Sequence, residues 1–389
     1  MAGIILRAMM NDTLAPRTQD APTVKVWDLP TRLFHWSLVG CVGVAALTGF
    51  AEIRGSLSWH VLAGYGVIGL LAFRLVWGFF GPEYARFFNF AYGPKAVLAY
   101  LRTVLRLKPD HYLGHNPAGA VMIFALLVTL ALIVLSGLVT FGGTEKAGPL
   151  AGFVSYGIGH GAEEVHEAFA TLLLLLIGGH LAGVIVESLL TRENLARAMV
   201  HGRKRLGPGQ ATPPARPWRR GRAFLAAALL LIGGGTGAAG LERFVPVGLP
   251  APPVPAAFAQ ECGACHWAYH PSLLPAASWR QMMAGLSEHF GENAALPADQ
   301  AQAIETWLAQ WSAEAWDTKA GNRFRRVAAD DPLRVTKTPA WKRIHDDIPE
   351  AVFARKSVGG EGSCNACHRD ADTGFFRQQS IKVPQEKKI

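Results

Sequence analysis

The chain has 389 residues, half of them hydrophobic and only 17% charged, with 38 Lys and Arg against 29 Asp and Glu for a formal net charge of +9. Such a composition excludes a disordered or low-complexity chain, and the length allows more than one domain. Nor does the charge mark a nucleic-acid binder. Residues 1–241 hold 21 basic and 12 acidic side chains whereas residues 242–389 hold 17 of each, so the basic excess belongs to the apolar half, where it reports topology.

Five long apolar stretches follow in chain order: Leu33–Phe50, Leu57–Phe80 interrupted only by Arg74, Ala118–Gly143, Ala168–Val186 and the glycine-rich Ala223–Leu241. Each approaches or exceeds the roughly 18 apolar residues a membrane-crossing helix needs. Basic residues are retained in short cytoplasmic loops. The N-terminal segment carries Arg7, Arg17, Lys25 and Arg32, the second loop Arg86, Lys95, Arg102, Arg106 and Lys108, and the fourth loop nine between Arg192 and Arg222; the first and third loops carry only Arg54 and Lys146. The N-terminus is therefore expected in the cytoplasm and, after five spans, the C-terminal part in the periplasm. Trp218–Arg222 with the apolar run behind it also reads as a secretory signal, with Ala257-Phe258-Ala259 as an imitation cleavage site. The proline-rich run Val245–Pro255 between them favours an uncleaved, stiff tether.

Histidines inside such spans are costly and face the bundle interior. His166 and His180 on the fourth helix are separated by 14 residues, nearly four turns and about 21 Å, on similar faces. With alternating helix directions, depth pairs His60 with His166 near the periplasm and His35 with His180 near the cytoplasm. Each pair is expected to hold one non-covalent haem b iron between two imidazoles. His111, His115, His160 and His201 fall in loops or at helix ends and are assigned no haem. Arg74 reads as snorkelling to headgroups or neutralising a haem propionate, and Cys41 as a buried thiol.

Beyond residue 245 stand two Cys-x-x-Cys-His pentads, Cys262-Gly263-Ala264-Cys265-His266 and Cys364-Asn365-Ala366-Cys367-His368. A zinc ribbon would place its Cys pairs about 15–20 residues apart, but here 98 residues intervene. The pentads therefore predict two covalent c haems, with thioethers to Cys262, Cys265, Cys364 and Cys367 and proximal ligation by His266 and His368. His289 and His345 are the expected distal ligands; Met282 or Met283 is the rival. His270, four residues after His266, is expected on the proximal side, in a supporting role.

Resemblance adds to this. Val26-Trp27-Asp28-Leu29-Pro30, Arg32-Leu33-Phe34-His35-Trp36, Arg74-Leu75-Val76-Trp77-Gly78, Tyr84-Ala85-Arg86-Phe87, Gly114-His115-Asn116-Pro117 and Met199-Val200-His201-Gly202-Arg203-Lys204 resemble the prokaryotic cytochrome b-561 and nickel-hydrogenase b-type cytochrome family over about residues 22–206. That family implies a four-helix, two-haem membrane electron carrier with haem ligands at His35, His60, His166 and His180. Tyr269, Pro271-Ser272-Leu273-Leu274-Pro275, Ser278-Trp279, His289-Phe290-Gly291-Glu292-Asn293-Ala294 and both pentads resemble periplasmic dihaem cytochrome c over about residues 256–384, a family that passes electrons to a small haem protein. His270 departs from that pattern.

The expected architecture is an all-α membrane protein. A flexible segment (1–21) precedes a four-helix transmembrane haem-b bundle (22–206). A cytoplasmic linker and fifth transmembrane helix (207–245), a Pro-rich linker (246–255) and a small, mainly α dihaem cytochrome c domain (256–389) follow. The expected function is respiratory electron transport at the bacterial inner membrane. The donor is the quinol pool or a membrane dehydrogenase, and the acceptor a periplasmic haem protein. No nucleophile, phosphate loop or nicotinamide fingerprint is evident. The alternatives are a terminal reductase or peroxidase, or a gas-binding sensor, either of which needs a c haem with an open iron face.

Overall fold

The computed structural model describes residues 22–51, 55–207, 210 and 220–385. The segment 1–21 with Arg7 and Arg17, as well as Arg54, Trp218 and Arg219, lies outside them. The protein is mostly helical, and among the described residues five helices are long and apolar enough to cross a membrane: α1 (Leu29–Phe50), α2 (Leu57–Phe80), α4 (Pro117–Thr144), α5 (Tyr156–Thr191) and α7 (Arg220–Leu241). Leucines, valines and isoleucines along them, such as Leu33, Leu62, Leu135, Ile185 and Ile232, are exposed. That is the surface a hydrocarbon solvent accepts and water penalises. Between the second and third spans lies the short helix α3 (Pro94–Leu105), with Pro94 at its first position, where a missing N–H costs nothing. Helix α6 (Leu195–His201) follows the fourth span and is capped by Asn194, which accepts from the Arg197 N–H.

Two compact units divide the chain. One takes residues up to Gly43 with Tyr65–Ala131 and Ala170–Gly233. Here a small antiparallel ribbon, β1 (Thr23–Lys25) against β2 (Arg203–Arg205), supplements the expected all-helical pattern. Val26 and Trp27 N–H groups both donate to the Gly202 carbonyl, and the Arg32 guanidinium donates to Val200 O. Gly202 has φ +81, and a Cβ there would lie 2.4 Å from Trp27 O, so only glycine closes this turn. Trp77 is fully buried, donates to Asp28 and stacks on Phe73. Arg74 is buried as well. Instead of reaching headgroups it donates to Ala85 O at 3.0 Å and lies over the Phe87 ring, a desolvated cation held by a carbonyl and a π face. Cys41 is half-buried and faces Gly66.

The other unit takes Val44–Gly64, Leu132–Phe169 and everything from Gly234. Its C-terminal part is a small core of Phe258, Leu273, Leu274, Trp279, Met283, Ile304, Leu308, Phe324 and Trp341. The elements around it are α8 (Ala256–Glu261), α9 (Ala276–Ala284), α10 (Ala298–Gln310), α11 (Lys319–Phe324), α12 (Pro339–His345), α13 (Glu350–Phe353) and α14 (Cys364–Cys367). Thr318 and Thr338, both buried, cap α11 and α12 by accepting from the Gly321 and Trp341 N–H groups.

Candidate haem sites

The pair expected from depth is close in space: the His60 and His166 rings stand 6.0 Å apart, centroid to centroid, at 70°. His60 Nδ1 lies 3.1 Å from Ala45 O and 3.2 Å from Thr48 Oγ1; His166 Nδ1 lies 2.9 Å from Ile133 O and 3.2 Å from Ser136 Oγ. A carbonyl only accepts, so each Nδ1 must carry the proton and each Nε2 keeps its lone pair. Neutral imidazole presented this way is what an iron ligand requires. Glycines make the room. A Cβ at Gly49 would meet His60 Cε1 at 3.3 Å, and one at Gly137 would meet His166 Cε1 at 3.0 Å.

His35 on α1 and His180 on α5 share the other unit and are near enough to interact electrostatically. Among the described residues His35 Nδ1 is buried without a protein partner, an orphan that burial makes costly unless something further satisfies the ring.

In the C-terminal domain the second pentad is wound so that its cysteines share a face. Cys364–Cys367 is one helical turn, and the His368 N–H closes on Cys364 O at 2.8 Å; side chains three apart then share a face. Cys262 ends α8, its N–H bonded to Phe258 O. Each pentad histidine meets a second one. His266 and His289 are stacked at 6.2 Å and 23°, and His345 and His368 lie at 6.2 Å and 73°. A metal between two imidazoles, with bonds of about 2 Å and roughly 1 Å from each nitrogen to its ring centre, demands about 6 Å between centroids. The residues of three pairs therefore fit a hexacoordinate haem iron. His266 Nδ1 donates to Trp267 O at 2.8 Å and His345 Nδ1 to Trp341 O at 3.0 Å, again leaving Nε2 free. Burial, with His345 beside it, pushes His368 down to about 4, so at neutral pH its lone pair is available. Among the described residues no cluster of three or more His, Cys, Asp and Glu suits a bare metal ion.

Of the rival methionines, Met283 is buried in the core, while Met282 packs against that core and lines the cavity beside His289. His270 is not on a helical turn after His266. It caps a short 3-10 turn, taking the Ser272 N–H on Nδ1, and its ring packs edge-on to Trp316. Burial lowers it to about 4.

One residue was under-read in the sequence. His115 is not solvated: its ring lies between Trp27 (4.7 Å) and Phe90 (4.4 Å), and its Nδ1 is buried without a partner. Burial, then Arg74 and Lys204, push it down to about 3. The signal was its place directly before Asn116-Pro117, a helix start, where a neighbouring aromatic pocket could not be inferred. His111 meets Gln210 and Glu193, His160 meets Glu163, and His201 is exposed.

Comparison with known proteins finds two families along the chain. The prokaryotic cytochrome b561 family matches residues 26–202 and the dihaem cytochrome c family residues 258–376. A probable Ni/Fe-hydrogenase B-type cytochrome subunit of Bradyrhizobium diazoefficiens is 25% identical over 240 residues, covering 52% of this chain and 94% of that protein. One of the same description from Cupriavidus necator is 27% identical over 210 residues, covering 46% and 85%. Among solved structures, a diheme cytochrome c from Rhodobacter sphaeroides is 36% identical and covers 32% of this chain and 97% of its own, with a TM-score of 0.28.

Proposed function

Because residues 26–202 belong to the prokaryotic cytochrome b561 family and residues 258–376 to the dihaem cytochrome c family, we propose that this chain is a four-haem electron carrier of the bacterial inner membrane. It takes electrons from the quinol pool or a membrane dehydrogenase and delivers them to a periplasmic haem protein. The cytochrome b561 and dihaem cytochrome c matches together support membrane electron transfer with haem b and haem c; the number of haems, their direction of traffic and their sidedness rest on this chain's own residues. His60 with His166 and His35 with His180 would hold two b haems, and His266 with His289 and His345 with His368 two c haems, anchored through Cys262, Cys265, Cys364 and Cys367. Bound haem supplies one-electron redox chemistry. The protein fixes the tautomers of His60, His166, His266 and His345 through backbone carbonyls and sets the spacing of the ring pairs.

The observation that carries this reading is that both pentad histidines face another histidine at 6.2 Å. A reductase, peroxidase or gas sensor needs one iron face open; a carrier gains from having both closed, because a fixed coordination shell minimises rearrangement on electron transfer. As for the donor, the description of the b-type relatives as hydrogenase subunits supports a membrane hydrogenase as one member of the dehydrogenase class. The test is an ultraviolet-visible spectrum of the oxidised and reduced protein with and without carbon monoxide. Low-spin bands unmoved by the gas are expected, and a c band that shifts with carbon monoxide would reject the carrier in favour of an open-site enzyme or sensor.

A further inference from the structure

The turn after α4 and the C-terminal domain are joined by an interlocking polar clamp. Lys146, its side chain 1% exposed, donates to Asp317 Oδ2 at 2.8 Å and to Val154 O at 3.2 Å. The same Asp317 oxygen accepts the Tyr156 N–H at 2.8 Å, the first N–H of α5, where a helix N-terminus favours negative charge. Glu145 pairs with Lys319 at 3.3 Å and accepts the Gln378 N–H at 2.9 Å, while the Arg377 guanidinium grips the carbonyls of Glu145 and Lys146 at 2.9 and 3.0 Å. The proline-rich segment is drawn in too: Val247 N–H donates to Ala151 O, and Asp317 N–H to Gly248 O. A tether meant to let its domain roam would not be bonded at both sides, and a buried lysine with its carboxylate partner removed would be a heavy cost.

The clamp is not equidistant from the two pentads. Arg377 and Gln378 directly follow Phe376, whose ring packs on His368 at 5.3 Å, and the same segment is hydrogen-bonded to the second pentad through Lys382 N–H to Cys367 O and Arg369 N–H to Ser380 O. Among the described residues the first pentad meets this region through its flanks rather than its own turn, with Trp267 donating to Asp372 Oδ1 at 2.6 Å and His270 packing against Trp316. Its Cys265 and His266 are exposed, and beside His289 opens a cavity of about 570 Å³ lined by Met282, Glu288, Phe290 and Leu333.

We infer that the Glu145–Lys146 turn is a fixed dock that makes the His345–His368 pair the point where electrons enter the C-terminal domain, leaving His266–His289 as the exit; this rests on the carrier reading above. One electron and no proton moves. With haem bound, His60 and His166 would hold the iron that gives up the electron, ferrous to ferric, and His345 and His368 the iron that takes it, ferric to ferrous. The second pair then passes the electron to the first.

The experiment uses the full chain in detergent, its haems counted first, so that a count other than two covalent and two extractable would fail the carrier reading separately. The Cys364→Ala/Cys367→Ala variant is reduced with dithionite, freed of it, and mixed with ferric soluble cytochrome c as a one-electron acceptor. Its remaining c haem should oxidise at the wild-type rate and the b haems at least a hundredfold more slowly. Oxidation of b and c in one common phase would overturn the inference. Should removal of that haem unfold the domain, Arg377→Ala leaves both pentads intact and is read by hydrogen exchange. Loss of protection at Tyr156 and Gln378 amides by tenfold or more is expected, with slower b oxidation; unchanged protection and rate would overturn the dock.

Discussion

A single imidazole decides whether a pair can grip iron, so the residue scale carries the sharpest consequences. Replacing His60 or His166 by Ala should remove one and the same b-haem signal from the reduced-minus-oxidised spectrum. His35 or His180 to Ala should remove the other, and loss of a common signal from His60 and His180 variants would refute the pairing. His289→Ala and His345→Ala should each turn one c haem high-spin and open it to carbon monoxide. His115 offers a consequence with pH. Its folded value, about 3, lies below the unfolded 6.5, so the unfolded chain takes the proton first and stability falls as pH drops below about 6.5. Its ring is not wholly enclosed, which limits the effect at pH 5 to about 1–2 kcal/mol. The thermal midpoint in detergent should therefore fall between pH 7 and pH 5 less steeply in His115→Asn than in the natural chain. How far such residues could be read from the sequence depended on regularity. Pentad spacing and span depth pointed to ligand candidates, and three of the proposed pairs stand about 6 Å apart, ring to ring. The pocket around His115 and the carbonyl grip on Arg74 depended on chain segments that only folding brings together.

At the scale of elements, the fourth span departs most from its apolar pattern. The hydrophobic run begins at Ala168, yet α5 begins at Tyr156. Glu163, Glu164 and Glu167 concealed its first turns because a helix extending past the hydrocarbon no longer has to be apolar. Thirty-six residues amount to about 54 Å, well over the roughly 30 Å core, so His166 sits in the helix although outside the apolar run. The approach of α4 to α5 depends on glycine: a Cβ at Gly143 would lie 2.6 Å from the Gly159 Cα, backbone that has no room to yield. Gly159→Val should therefore lower the thermal midpoint, with a cost of about 2 kcal/mol or more, and disturb the His166 haem signal in absorbance. A midpoint and spectrum equal to the natural chain would show that the helices can part without penalty. The small β1–β2 ribbon escaped notice because Arg203-Lys204-Arg205 reads as a basic loop; Lys204 is in fact buried, donating to Tyr112 O and paired with Glu193.

For the whole molecule, periodicity and charge made the helical class and the five spans legible, since bilayer thickness and loop charge act on sequence directly. The dock was not legible. Glu145, Lys146, Asp317 and Arg377 are ordinary loop charges until tertiary contact buries them, and the proline-rich segment, expected as a spacer, is bonded into that contact. A reporter fused after Ile389 should register the periplasmic side, and a cytoplasmic signal would reverse the proposed direction of flow. The central claim, four haems of two kinds on one chain, is tested most directly by counting haem per polypeptide before and after denaturation and acid-acetone extraction. Four per chain at the start, with two extracted as haem b and two retained covalently, is the predicted result; retention of fewer than two, or extraction of none, would contradict it.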